Sequence, residues 1–245
     1  MLFKKILKRL NKRSDTRKPG VFRQKNNFVL NEDSSFFSQE AYKMLRTNLI
    51  FSLPQKKCKK ILITSSEMHE YKSTTAINLS IVLAEYGFRV LLMDCDLRLP
   101  SIADKLRLTG KEGLSDLLVG LTEKQKIIRH YRENLDILPS GTIPPNPSEL
   151  LGSDAMEGLL EELESSYDYI IIDAAPAGSV TDAVIISKWV TGFVFVVRSG
   201  VARKDNIDRC LKMMQVTGAK MLGFVLTGNG RDRSSAGYNY RYKKN

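Results

Sequence analysis

From residue 59 onward the chain alternates between short apolar runs and segments whose apolar positions recur with helical spacing. The runs KKILITSS (59–66), RVLLMD (89–94), NLDILPSG (134–141), YIIID (169–173), GFVFVVRS (192–199) and MLGFVLTG (221–228) read as strands. Helical patterns over 74–86, stopped by Gly87, and over 149–164, 182–190 and 203–217 lie between them. Strands this continuously apolar need cover on both sides. The pattern therefore predicts an α/β fold with a mostly parallel central sheet and helices on both faces. Ligands of such sheets bind at the carboxyl ends of the strands. Segment 38–52 adds a helix with Tyr42, Leu45, Leu49 and Ile50 apolar and Ser38 as its cap, expected to pack on the domain.

The first thirteen residues differ from this body. Leu2, Phe3, Ile6, Leu7 and Leu10 share one helical face, with Lys4, Lys5, Lys8, Arg9, Lys12 and Arg13 around the other. Such a basic amphipathic helix suits an anionic membrane surface or an acidic partner. Residues 14–35 read as a polar linker. The expected organisation is thus a basic segment and linker over 1–35, a domain over 36–230, and a flexible tyrosine-rich tail over 231–245.

Charge follows the same division. Of the formal net charge of +11, residues 1–30 carry +9 and residues 231–245 carry +4, which leaves −2 for the body. No run of about 18 apolar residues occurs, so no membrane-spanning helix is expected. The N-terminus also lacks the apolar stretch and cleavage site of a secretory signal. Cys58, Cys95 and Cys210 are odd in number and far apart, and only His69 and His130 are present. That pattern points to a reducing compartment and away from zinc. The expected location is cytoplasmic, peripheral at the inner face of the cell membrane.

The first strand runs into Glu67-Met68-His69-Glu70-Tyr71-Lys72-Ser73-Thr74 and then a helix, the context a phosphate-binding P-loop requires. The G-x-x-x-x-G-K-[ST] pattern is half present. Lys72 and Ser73 stand where the phosphate-binding lysine and the magnesium-binding hydroxyl belong, while Ser66 and Tyr71 replace the two glycines. Glycine serves there because the backbone must approach phosphate closely, and another residue in a left-handed conformation costs about 1–2 kcal/mol. Taken alone, a Lys-Ser-Thr-Thr stretch is often just an exposed helix start. Three acids change that picture. Asp94 and Asp96 stand at the end of one strand, two apart and so expected on one face, and Asp173 ends another as a Walker B acid would. Residues 66–74 with Asp94, Asp96 and Asp173 thus make a candidate nucleotide site, with Ser66, Glu67, Glu70, Tyr71, Lys72, Ser73 and Thr74 as its loop.

Here the sequence resembles the bacterial tyrosine kinases that regulate capsular and exopolysaccharide synthesis, of the type with a separate cytoplasmic kinase subunit. The match covers about residue 36 to the end and is carried by EAYKMLRTNL (40–49), KSTTAINLS (72–80), VLLMDCDLRLP (90–100), GLSDLL (113–118), LPSGTIPPNPSELL (138–151) and YDYIIIDAAP (167–176). The resemblance implies a P-loop NTPase-like fold, with ATP and Mg2+ as cosubstrate and cofactor. It implies that Lys72 holds the β and γ phosphates, that Ser73, Asp94 and Asp173 place magnesium, and that Asp94 or Asp96 is the general base. Tyr238, Tyr240 and Tyr242 become phosphate acceptors, presented to a neighbouring subunit in a ring. The ring motif Glu-x-x-Arg-x-x-Arg reads Glu40, Lys43, Arg46 here, and the family's loop glycines are His69 and Tyr71. The implied partner is the cytoplasmic tail of a transmembrane polysaccharide chain-length regulator, with no nucleic acid.

Three functions follow for testing. The first is an ATP-dependent tyrosine autokinase, and the second is an inactive relative acting as a scaffold. The third, a partition or cell-division ATPase, is disfavoured because those relatives carry a lysine where this chain has Glu67.

Overall fold

A computed structural model describes residues 29–53 and 57–228. The chain forms α1 (Phe36–Ser52), β1 (Lys59–Ser65), α2 (Lys72–Ala84), β2 (Val90–Cys95), α3 (Ile102–Leu106), α4 (Leu114–Leu118), α5 (Lys124–Ile127), β3 (Arg129–Arg132), β4 (Leu135–Leu138), α6 (Pro147–Leu151), α7 (Asp154–Leu163), β5 (Tyr169–Ala174), α8 (Asp182–Ser187), β6 (Gly192–Arg198), α9 (Lys204–Gln215) and β7 (Met221–Thr227). The strands build one seven-stranded sheet in the order β3-β4-β2-β5-β1-β6-β7. Every pairing is parallel except β3 with β4.

The period-two geometry of a strand divides the core between the two faces. Ile61, Ile63, Leu92, Ile171 and Val196 pack with Leu49 of α1 and Ile77 and Ile81 of α2. Leu62, Met93, Ile172 and Phe195 pack on the other face with Leu151, Leu160, Ile186, Ile207 and Met214 from α6 to α9. Both faces are covered, as the continuous apolar strands require.

Several boundaries differ from the sequence expectation. Helix α1 is capped by Ser35, whose hydroxyl accepts from the Ser38 backbone N–H at 3.3 Å, so Ser38 lies inside the helix. The pattern over 149–164 is two helices, because Ser153 caps α7 by accepting from Met156 N–H. Strand β3, with sequence RHYR, has no apolar run to announce it and hangs on β4 through a turn with Asn134 left-handed. Val29 and Leu30 are buried, and Leu30 N–H donates to Asn78 Oδ1 at 2.9 Å. No helix among the described residues is long and apolar enough to cross a membrane. The basic segment 1–13 and Tyr238, Tyr240 and Tyr242 lie outside the described residues.

Candidate active site

The order β2-β5-β1 sets three strand ends side by side. Asp94 of β2 and Asp173 of β5 are direct register partners, and β1 feeds the loop that opens α2 at Lys72. The Lys72 ammonium lies 2.8 Å from Asp96 Oδ2 and 3.3 Å from Asp173 Oδ1, and donates to Ser73 Oγ at 3.3 Å. These groups open on a cavity of about 580 Å3 whose wall includes Tyr71, Thr74, Arg98, Leu99, Lys105 and Arg198. Lys72, Ser73, Asp96 and Asp173 therefore meet at one point.

Asp94 does not meet them in the expected way. Strand β2 ends at Cys95, so the alternation that would align Asp94 with Asp96 stops between them. The Asp94 carboxylate instead accepts from the backbone N–H groups of Asp96, Ser101 and Ile102, and fixes the turn into α3. Asp96 alone of the two lines the cavity.

Within the loop, Glu70 is buried and turned away from the cavity. Its carboxylate accepts from Ser66 Oγ at 2.9 Å, Glu67 N–H at 2.8 Å and Arg198 N–H at 3.2 Å, and its carbonyl accepts from Thr227 Oγ1. Ser66, Glu67 and Glu70 thus brace the loop, while Tyr71, Lys72, Ser73 and Thr74 line the cavity. His69 and Tyr71 both sit left-handed, with φ of 62° and 66°. These are the two positions where the family resemblance expects glycine, and the backbone keeps the glycine-like turn without it. Arg198 contributes as well: its Nη1 donates to the His69 carbonyl at 3.0 Å, and its guanidinium lies 4.7 Å from the centre of the Tyr71 ring.

Burial raises the Asp94 carboxyl to about 7, with nearby Asp173 adding to the shift and Lys72 opposing it. Burial also raises Asp173, against the pull of Lys72. For Lys72, burial acts to lower the pKa, but Asp173 and Asp96 outweigh it and hold the ammonium at about 12. Asp96 and Asp173 share the one Lys72 ammonium, and a bound divalent cation would add positive charge beside them. Among the described residues no group of three or more acids or other ligands converges to hold a metal alone. Mg2+ takes one or two protein oxygens and fills the rest of its shell with water and substrate phosphate. The donor set of Ser73 Oγ and the Asp173 carboxylate fits that demand.

Arg98, Lys105 and Arg198 belong to the cavity but were missed in the sequence. Arg98 is gripped by the fully buried Asp182, at 2.8 Å from Nε, and by Ser148 Oγ at 2.9 Å. A lone arginine ending an apolar strand, as in FVFVVRS, was a readable signal for Arg198; nothing marks Lys105. The residues expected to build a ring make contacts within the chain, although the buried Arg46 Nε has no hydrogen-bond partner among the described residues. Lys43 pairs with Glu40 at 2.9 Å, and Arg46 donates to the Val82 carbonyl while lying over the Tyr86 ring.

A parallel sheet with a lysine–serine pair opening the helix after β1, and an acid ending the adjacent β5, defines a P-loop NTPase-like protein. A family model described as "AAA domain" matches residues 59–190. Tyrosine-protein kinase YwqD of Bacillus subtilis is 35% identical over 223 residues, covering 91% of this chain and 94% of that protein. The kinase domain of Escherichia coli tyrosine kinase ETK has a TM-score of 0.76 at 31% identity, covering 84% of this chain and 80% of that one. The chimerical protein CapA2B2 has a TM-score of 0.75 at 38% identity, with 80% and 86% covered. This chain belongs to the family of bacterial tyrosine-protein kinases.

Proposed function

We propose that the chain is an ATP- and Mg2+-dependent protein-tyrosine autokinase that regulates capsular or exopolysaccharide synthesis, acting on the tyrosines of its own kind of tail. The observation that carries this reading is the Lys72 ammonium held between Asp96 and Asp173 at the mouth of a cavity. Magnesium-bound ATP, when present, supplies an electrophilic γ-phosphorus. Lys72 would hold phosphate oxygens in place of its carboxylate contacts, Ser73 and Asp173 would hold the metal, and Asp94 fixes the backbone that aims Asp96. Asp96 accepts the proton of the incoming tyrosine hydroxyl, a group whose unperturbed pKa of about 10 makes an acceptor useful.

The scaffold alternative draws on the absent glycines at 69 and 71. The left-handed backbone retained at both positions weighs against it, because the loop has kept its shape. For a partner we propose the cytoplasmic tail of a transmembrane chain-length regulator, with residues 1–13 resting on the anionic inner membrane surface. Calorimetric titration with ATP and Mg2+, followed by phosphotyrosine detection, tests the reading. Saturable binding and phosphotyrosine formation, both lost in Lys72→Met, are expected; absence of binding at millimolar ATP would leave only the scaffold.

A further inference from the structure

We propose that the β2 side of the cavity is a subsite for peptides of other proteins, in which Lys105 selects acceptors that carry a carboxylate residue beside the tyrosine. This names a substrate class for the same site and rests on the kinase reading above.

The sheet order gives the cavity two chemically different sides. Strands β5 and β1 lie at its centre, with β6 next to β1 and β2 next to β5. The β1–β6 side carries the phosphate loop, the start of α2 and Arg198, which is turned onto the His69 carbonyl and the Tyr71 ring. The β2 side carries Asp96, Arg98, Leu99, Ser101 and Lys105. Asp96 is the group that accepts the phenol proton in the kinase reading. The tyrosine therefore enters over β2, opposite the loop that holds phosphate.

Two features suit that side to a peptide. Asp96 Oδ1 accepts from the Leu99 N–H at 3.1 Å, a turn that keeps Leu99 at the cavity wall while leaving it 64% exposed. An apolar side chain held this close to the carboxylate gives the acceptor ring something to lie against. In α3, the Lys105 N–H donates to the Ser101 carbonyl at 3.1 Å, so the two residues stand one turn apart on one face, and both line the cavity.

The cations of the wall differ in what they already hold. Lys72 sits between Asp96 and Asp173, and Arg98 grips the fully buried Asp182. Lys105 is half-buried, and among the described residues its ammonium pairs with no carboxylate. A cation drawn into a cleft without a counter-charge attracts an anion, and low-dielectric walls focus its field. Nucleotide phosphate belongs to Lys72 on the other side. The anion left for Lys105 is a side-chain carboxylate of the incoming peptide.

The test gives the full chain ATP, Mg2+ and three peptides of equal length, whose single tyrosine is flanked on both sides by glutamate, glutamine or lysine. Steady-state rates yield kcat/KM for each peptide and KM for ATP. Wild type should favour glutamate over glutamine by about two- to fivefold, the size of one partly exposed ion pair. That ratio should shrink in molar salt, where the screening length is about 3 Å. Lys105→Ala should bring the ratio close to one, Lys105→Glu should turn the preference toward lysine, and Lys105→Arg should keep it. A merely structural role would move all three peptides alike. An unchanged ratio in Lys105→Ala, or a raised KM for ATP with the ratio intact, overturns the subsite. Phosphorylation of the chain itself with none on any peptide overturns it as well and leaves the kinase reading standing. Phosphate on neither peptide nor chain overturns the kinase reading, and the subsite with it.

Discussion

Substituting His69 by glycine isolates the strain stored in the loop. His69 is exposed and left-handed at φ 62°, and among the described residues its imidazole makes no hydrogen bond; only its carbonyl is engaged, by Arg198. A left-handed residue other than glycine costs about 1–2 kcal/mol. Glycine gives back roughly 0.4–1 kcal/mol through the greater freedom of the unfolded chain. The difference is a net stabilisation of about 0.5–1 kcal/mol, which in a chain of this size raises Tm by roughly 1–4 °C. At Tyr71 the same relief is offset by losing the guanidinium–ring contact, about 0.5–1 kcal/mol at a partly exposed site, so Tyr71→Gly should be close to neutral. Calorimetric melting of wild type, His69→Gly, His69→Ala and Tyr71→Gly separates the contributions. Alanine removes the ring but keeps the strain, so a Tm gain from His69→Ala equal to that from His69→Gly would refute the reasoning.

Four further outcomes follow from the same geometry. Lys72→Met should abolish nucleotide binding and, by leaving Asp96 and Asp173 without their buried partner, lower stability by about 3 kcal/mol in urea titration. Glu70→Ala removes a buried carboxylate that accepts three hydrogen bonds, and should cost about 3 kcal/mol in the same assay, with Glu70→Gln milder. Asp94 holds its proton to about pH 7 when folded, against an ordinary value of 3.8, so its contribution to stability is full below about pH 4 and is lost as the pH rises through 7. Asp94→Asn should flatten that part of the urea-midpoint profile between about pH 4 and 7. Finally, vesicles of anionic lipid should bind the full chain weakly and release it in salt, and deletion of residues 1–13 should abolish the binding; equal binding after deletion refutes that role.

The sheet was legible because it is built from long apolar runs: all six strands expected from the pattern are present and parallel where they should be. The elements that escaped are those whose reasons are tertiary. Strand β3 is polar and exists because β4 offers it a hairpin, and Ser35 replaced Ser38 as a cap because a helix start depends on backbone geometry that either serine could have served. The meeting of Lys72, Ser73, Asp96 and Asp173 could be anticipated from strand ends. The orientation of Asp94 could not, since it turns on β2 stopping one residue past that carboxylate. Likewise Arg98 is placed by Asp182 and Ser148, residues 84 and 50 positions away, a relation no local spacing reveals.

Glu70 acts as a keystone: a single carboxylate ties the start of the loop to the end of β6, while the carbonyl of the same residue ties it to β7. The curvature of the cradle is thereby imposed from outside, by neighbouring strands. A cradle built this way can give up its glycines and keep its mould, so a missing glycine signature is poor grounds for declaring a phosphate pocket dead.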